Sequence, residues 1–374
     1  MRILSIFGTR PEAVKMAVVL RRLAGSPGVD SLVCVTAQHR QMLDQVLSLF
    51  DIRPDFDLDL MKPGQSLAGL TAAVLTHLDP ILRQVRPDWV LVQGDTTTAM
   101  AASLLAYYHH VHLGHVEAGL RTGDKWQPFP EEINRRVAGV TADLHFTPTE
   151  QARQNLLREG VVPESILVTG NPVIDALHWV ASLPPGAEFQ SLLDRLGLVG
   201  EHPPRLVLVT AHRRENIGRP LENICTALQQ LAEIYRADLR IVYPVHLNPN
   251  VQETVYRRLS DLPNLTLLPP LEYEAMIHLL KRAVLLLTDS GGLQEEAPGL
   301  GVPVLVLRQV TERPEGVQAG TVRLVGTQSE SIVAEARRLL DDPQAHSQMA
   351  QAVNPYGDGH AAERIVDCLL NSQP

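Results

Sequence analysis

The stretch "WVLVQGDTTTAMAASLLAYYHHVHLGHVEAG", residues 89 to 119, decides the fold. It opens on an apolar run with no polar alternation and turns at Gly94-Asp95. Three threonines lead into a helical stretch, and a second apolar run ends at Glu117. Runs of this kind suit strands buried on both faces, as in a parallel sheet. Strand, helix and strand in succession make a right-handed crossover unit. The plan extends outward in both directions. "ILSIFG", "SLVCVTA", "DLHFTPT" and "SILVTG" are further strand segments up to residue 170. "PEAVKMAVVLRRLA", "MLDQVLSLF", "LAGLTAAVLTHLDPILRQV" and "EEINRRVAGV" carry helical periodicity between them. A pause follows at "TGNPVIDALHWVASLPPGAEFQ", where Asn171-Pro172 and Pro184-Pro185-Gly186 are turn and linker signals. A second series then runs through "RLVLVTA", "LRIVYPV", "NLTLLP", "AVLLLTD", "VPVLVLR" and "VRLVG". The sequence predicts an α/β protein of two Rossmann-like, doubly wound domains with a cleft between them. They span residues 1–170 and 171–356, and a final helix within 357–374 packs back on the first.

Bulk properties agree with this plan. A chain of 374 residues is long for one core. With 45% apolar and 20% charged residues it is ordinary globular material, not a disordered chain. The net charge of −9, with no long block of like charge, argues against nucleic acid or an anionic membrane as the main partner. Cys34, Cys225 and Cys368 are far apart and form no CxxC pair, which points to a reducing compartment. The start, "MRILSIFGTR", is too short in apolar residues for a signal peptide, and no apolar run reaches membrane-span length. A cytoplasmic location is expected.

Ligands of open parallel sheets bind beyond the carboxyl ends of the strands, so the residues after each strand are the site candidates. After the first come Gly8-Thr9-Arg10-Pro11-Glu12 and Lys15, a helix N-terminus with two cations that suits an anion. It matches neither a dinucleotide fingerprint nor a P-loop. Asp95 is either a helix cap or a group that faces the ligand. Glu117 falls at a strand end, and the Gly/Pro-rich loop behind it delivers Glu131 and Glu132, then Arg135 and Arg136. His109, His110, His112 and His115 invite a metal reading, but their spacing is not that of a zinc site, and no metal is expected. In the second half, His212, Arg213 and Arg214 follow a strand. "TDSGGLQEEAPG" places Ser290-Gly291-Gly292 between a strand and a helix, with Glu296 one turn in. That arrangement can hold a diphosphate and ribose hydroxyls. Arg313 of "TERPEG" is a further phosphate candidate.

"GTRPEAVKMA", "TAQHRQMLDQVL", "QGDTTTA", "GHVEAGLRTGD", "PFPEEINRR", "TAHRRENIG", "YPVHLNP", "DSGGLQEEAP" and "TERPEGVQAGT" run in order along nearly the whole chain. Together they closely resemble the bacterial non-hydrolysing UDP-N-acetylglucosamine 2-epimerases. The resemblance implies a GT-B fold and an isomerase that interconverts UDP-GlcNAc and UDP-ManNAc for surface polysaccharide, with no cofactor. It implies elimination of UDP to 2-acetamidoglucal, followed by re-addition. By motif match, Asp95, Glu117 and Glu131 are acid/base candidates. Arg10, Lys15, Arg135, His212 and Arg313 stabilise phosphate or orient the sugar, and Ser290, Gly291, Gly292 and Glu296 hold UDP. Homodimers are implied, as is activation by a second UDP-GlcNAc, with Gln38, Gln41 and His246 at the matching segments. Gly64 stands where some relatives have a basic residue. The competing readings are a GT-B glycosyltransferase, a hydrolysing epimerase that releases N-acetylmannosamine, and an inactive nucleotide-sugar sensor.

Overall fold

The computed structural model describes the chain except Gln38, His39, Lys62, Pro63, Gln373 and Pro374, and except the side chain of Gln41. It divides into two compact units. Met1–Ala176 and Tyr356–Pro374 form the first, and Leu177–Pro355 the second.

The strands of the first unit are β1 (Arg2–Phe7), β2 (Asp30–Val35), β3 (Phe56–Asp57), β4 (Trp89–Gln93), β5 (His112–Val116), β6 (Leu144–Thr147) and β7 (Ile166–Val168). Among the described residues they make one seven-stranded sheet in the order β3-β2-β1-β4-β5-β6-β7. Every pairing is parallel. The order reverses direction between β1 and β4, where Ile6 lies opposite Val92. Ile3, Leu4, Ile6 and Phe7 are all inaccessible to solvent although successive residues point to opposite faces, so both faces of β1 are covered. That is why its sequence shows no alternation.

The second unit repeats the plan with β8 (Arg205–Thr210), β9 (Leu239–Pro244), β10 (Leu265–Leu268), β11 (Ala283–Thr288), β12 (Val304–Val306) and β13 (Val322–Leu324). Its parallel order is β10-β9-β8-β11-β12-β13, and direction reverses between β8 and β11. One apolar cluster packs on each face, around Ile224, Leu228 and Ile332 on one side and Leu193, Leu279 and Leu280 on the other.

All twelve strand segments read from the sequence form strands. The addition is β3, two residues on the sheet edge, too short to leave a periodic signature. The first passage between units falls inside the helix Pro172–Ser182. Its first turn stays with the first unit because Asp175 accepts hydrogen bonds from Ala361 N (3.1 Å) and Ala362 N (2.8 Å). Those are orphan donors at the start of the last helix, Ala361–Asn371, which buries Ile365, Val366 and Leu369. Asp175→Ala is expected to lower stability by about 1–2 kcal/mol, the usual loss for a helix cap. A urea midpoint equal to that of the parent protein would show that the last helix does not depend on this cap.

Candidate active site

In the first unit, the polar residues gather where the strand order reverses. Thr9 caps the helix Arg10–Ala24 and Glu12 caps back, with its carboxylate accepting from Gly8 N (3.1 Å) and Thr9 N (2.7 Å). The same carboxylate accepts from Thr96 Oγ1 at 2.7 Å, so the turns after β1 and β4 are tied by one buried side chain. Burial pushes the Glu12 carboxyl above its ordinary value, against the pull of these donors.

Glu117 follows β5 directly. Its φ of 62° is left-handed, a strained conformation for a residue with a Cβ. Its carboxylate is 8% or less exposed and is surrounded by donors. Lys15 Nζ reaches Oε1 at 2.6 Å and Asn171 Nδ2 reaches the same oxygen at 2.9 Å. Gln93 Nε2 donates to Oε2. Gly94 turns the neighbouring chain at a left-handed φ of 70°, which a residue with a Cβ rarely adopts, next to that oxygen.

Asp95 pairs with Arg135, and its backbone carbonyl accepts from Asn134 Nδ2 at 3.0 Å. Burial pushes the Asp95 carboxyl up from its ordinary value; Arg135 pulls it down and the charge of Glu117 pushes it up. Two carboxylates and two cations, Lys15 and Arg135, thus share one electrostatic environment. Glu131 opens the helix Glu131–Thr141, half-buried and without a side-chain hydrogen bond among the described residues. Its neighbour Glu132, fully buried, does the structural work. It accepts from Thr122 N (3.1 Å) and Gly123 N (3.3 Å) and pairs with Arg136 (3.1 Å). Arg10 stands half-buried at the first residue of its helix.

In the second unit, the buried Asp289 organises the turn after β11. Its Oδ2 accepts from His212 N (2.8 Å), Arg213 N (2.8 Å) and Asn216 Nδ2 (2.9 Å). Its Oδ1 lies 3.5 Å from His212 Nδ1. Burial pushes the His212 imidazole below its ordinary value, and Asp289 pulls it up. Ser290 precedes the helix Gly291–Gly299, whose first turn has no side-chain cap. An Arg213 guanidinium nitrogen lies beside Gly291, 3.4 Å from where a Cβ would stand. Gly292 has open space beside it. Glu296 is buried and accepts from Tyr273 OH at 3.2 Å. Arg313 is engaged by the buried Glu295. His246 stacks on His212, ring centroids 5.1 Å apart and planes nearly parallel. Gln38 lies outside the described residues, as does the side chain of Gln41.

The four histidines of the 109–115 stretch separate. His109 meets Asp79 at 2.8 Å, His112 packs at a tilt against the Trp89 ring and lies 3.5 Å from Asp143, and His110 carries a left-handed φ of 55°. His115 is wholly buried and donates through Nε2 to Gly94 O at 2.7 Å, bracing the turn before Asp95. Among the described residues, no three His, Cys, Asp or Glu side chains converge as metal ligands would.

These features define the class: an α/β protein of two doubly wound units of the GT-B type, each with its polar groups at a sheet reversal. A family model described as UDP-N-acetylglucosamine 2-epimerase matches residues 21–370. The UDP-N-acetylglucosamine 2-epimerase of Escherichia coli (strain K12) is 53% identical over 378 residues, covering 100% of this chain and 99% of that one. That of Bacillus subtilis (strain 168) is 51% identical over 370 residues, 99% of this chain and 95% of that one. The crystal structure of UDP-GlcNAc 2-epimerase from Neisseria meningitidis bound to UDP-GlcNAc superposes with a TM-score of 0.89 at 46% identity, covering all of both chains. The chain belongs to the UDP-N-acetylglucosamine 2-epimerase family.

Gln93 and Asn171 escaped the site reading of the sequence, and Glu12 stood in it only as part of the turn after β1. Glu12 had a signal, since Thr9-x-x-Glu12 is a capping-box pattern. Gln93 had a faint one, as the polar residue that closes an apolar strand.

The buried histidines make a pH prediction. Burial pushes both His115 and His145 from 6.5 down to about 4. The unfolded chain therefore takes up protons first, and stability is full above pH 6.5 and lost as the pH falls toward 4. The loss is on the order of 3 kcal/mol for His115 alone. Denaturant titrations at stepped pH are expected to show this slope, shallower in His115→Gln. An unchanged slope in that variant would remove His115 as its source.

Proposed function

We infer that the protein interconverts UDP-GlcNAc and UDP-ManNAc, inverting the second sugar carbon. The observation that carries the mechanism is the buried Glu117 carboxylate, 2.6 Å from Lys15 and in the electrostatic environment of Asp95 and Arg135. Inversion at that carbon needs its proton removed from one face and returned to the other. In this reading, a carboxylate takes the proton, the C–H electron pair becomes the sugar's C1–C2 double bond, and the anomeric C–O bond breaks. UDP leaves with the electron pair of that C–O bond, giving 2-acetamidoglucal. Re-addition of UDP with protonation from the opposite face completes the epimerisation.

Two kinds of group serve these steps: carboxylates poised to exchange protons and donors that stabilise negative charge on the leaving diphosphate. Asp95, Glu117 and Glu131 are assigned to proton exchange. Lys15 and Arg135 pair with Glu117 and Asp95, and Arg10, with His212 and Arg313, is assigned to phosphate charge. Ser290, Gly291, Gly292 and the uncapped helix behind them are assigned to the diphosphate, and Glu296 to the ribose. His212 acts with Asp289 at its back. A homodimer, a cytoplasmic location and activation by a second UDP-GlcNAc near Gln38, Gln41 and His246 belong to the same reading. Strictly hyperbolic UDP-ManNAc turnover without added UDP-GlcNAc would argue against the activator.

The direct test is proton NMR of UDP-GlcNAc with the protein in deuterated water. Deuterium is expected at the second carbon as the manno epimer appears. Free N-acetylmannosamine with UDP would instead indicate hydrolysis, and no change without an acceptor would indicate a glycosyltransferase. Glu117→Gln is expected to keep UDP affinity and lose about 100-fold or more in turnover. Near-normal turnover would remove Glu117 from the chemistry.

A further inference from the structure

Gln93 and Asn171 are two buried amides that no catalytic step uses, 2% and 1% exposed. A buried amide is costly unless hydrogen-bonded, and both spend a donor on the same carboxylate. Gln93 closes β4, whose other residues, Trp89 to Val92, are all apolar. Its partner in register is Val116, the residue before Glu117, so the pairing of β4 with β5 sets its side chain beside the carboxylate. Asn171 comes from the far end of the unit's chain and is held on three further sides. Its N–H donates to Tyr356 O at 2.6 Å, its Oδ1 accepts from Val173 N at 3.1 Å, and its carbonyl accepts from Ile174 N at 3.0 Å.

We propose that Gln93 and Asn171 are positioning residues for the reaction: neutral donors, one on each Glu117 oxygen, that fix the plane of the carboxylate while Lys15 supplies the charge. The proposal rests on the reading of Glu117 as an acid/base group. Its physical basis is the backbone. At φ 62° Glu117 sits in a sparsely populated region, and such a conformation persists only where its surroundings over-determine it. Lys15 alone cannot do this, because an ammonium on a four-carbon stem offers a point charge and no preferred plane. An amide N–H on each oxygen does, and it adds no further charge to the site. The two amides come from separate parts of the chain, a strand end and a helix start, so the carboxylate is clamped between rigid elements.

The test uses Gln93→Glu and Asn171→Asp, near-isosteric changes that turn each donor into an acceptor and keep the side-chain shape. At pH 8 the new carboxylate and Glu117 are both ionised and repel. Turnover of UDP-GlcNAc is expected to fall at least about tenfold, with KM changed less than about threefold. As the pH is lowered toward 6, the pair shares one proton, the shared O–H replaces the lost N–H, and turnover recovers relative to the parent protein. A parent-like pH profile in both variants would overturn the proposal. So would an equal loss at every pH accompanied by a lowered unfolding midpoint, which marks a role in folding only. Glu117→Gln, assayed alongside, separates the two ideas. If it keeps normal turnover, the acid/base reading fails. If it is inactive while the amide variants are parent-like, only the clamp fails.

Discussion

In a parallel sheet wound by right-handed crossovers, every strand presents its carboxyl end on the same edge. Where the strand order reverses, the connections leave in opposite directions and part the loops above that edge. Each unit of this protein has one such place, between β1 and β4 and between β8 and β11. The turns that carry chemistry-bearing residues stand at these places. Gly8–Arg10 follow β1, Gly94-Asp95 follow β4, His212 follows β8 and Asp289–Gly292 follow β11. A Pro or charge inside any of these strands would do more than weaken a core, since it would move the turn that the strand aims.

The second organising feature is charge pairing in places that water barely reaches. Removing a carboxylate from water is costly, and each one here is compensated by donors of a particular kind. Glu12 and Asp289 are satisfied mainly by backbone N–H groups and neutral side chains, and they brace turns. Glu117 and Asp95 are instead paired with the cations Lys15 and Arg135. Glu132 sits between these cases, fully buried, holding loop N–H groups with two oxygens and two arginines alongside. Adjacent residues can thus have opposite duties. Glu132 anchors the loop that Glu131 ends, and nothing in "PEE" distinguishes them.

The strands were legible because burial on both faces leaves a mark that survives in one dimension: an apolar run of four to six residues bounded by a turn. Asp95, Glu117, His212 and Ser290–Gly292 were legible because a strand end followed by a polar or glycine residue is a local pattern. The histidines of 109–115 show the opposite. Their density suggested a shared partner, yet His109 turns to Asp79, His112 to Trp89 and His115 to Gly94. Side-chain direction depends on the end of a helix, a left-handed residue and the pleat of a strand, all within seven residues.

By itself the sequence determined the two α/β units and the family, and it marked the strand ends from which the candidate site residues come. Each of these rests on short-range order, in periodicity, turn chemistry or a contiguous motif. Only the tertiary structure decided which groups hold which. Lys15 meets Glu117 across 102 positions, Asn171 across 54 and Arg135 meets Asp95 across 40. Glu117 adopts a left-handed backbone that no glycine or asparagine announces. Such contacts are made by strand order and register, which bring distant residues together without leaving a local trace in either one.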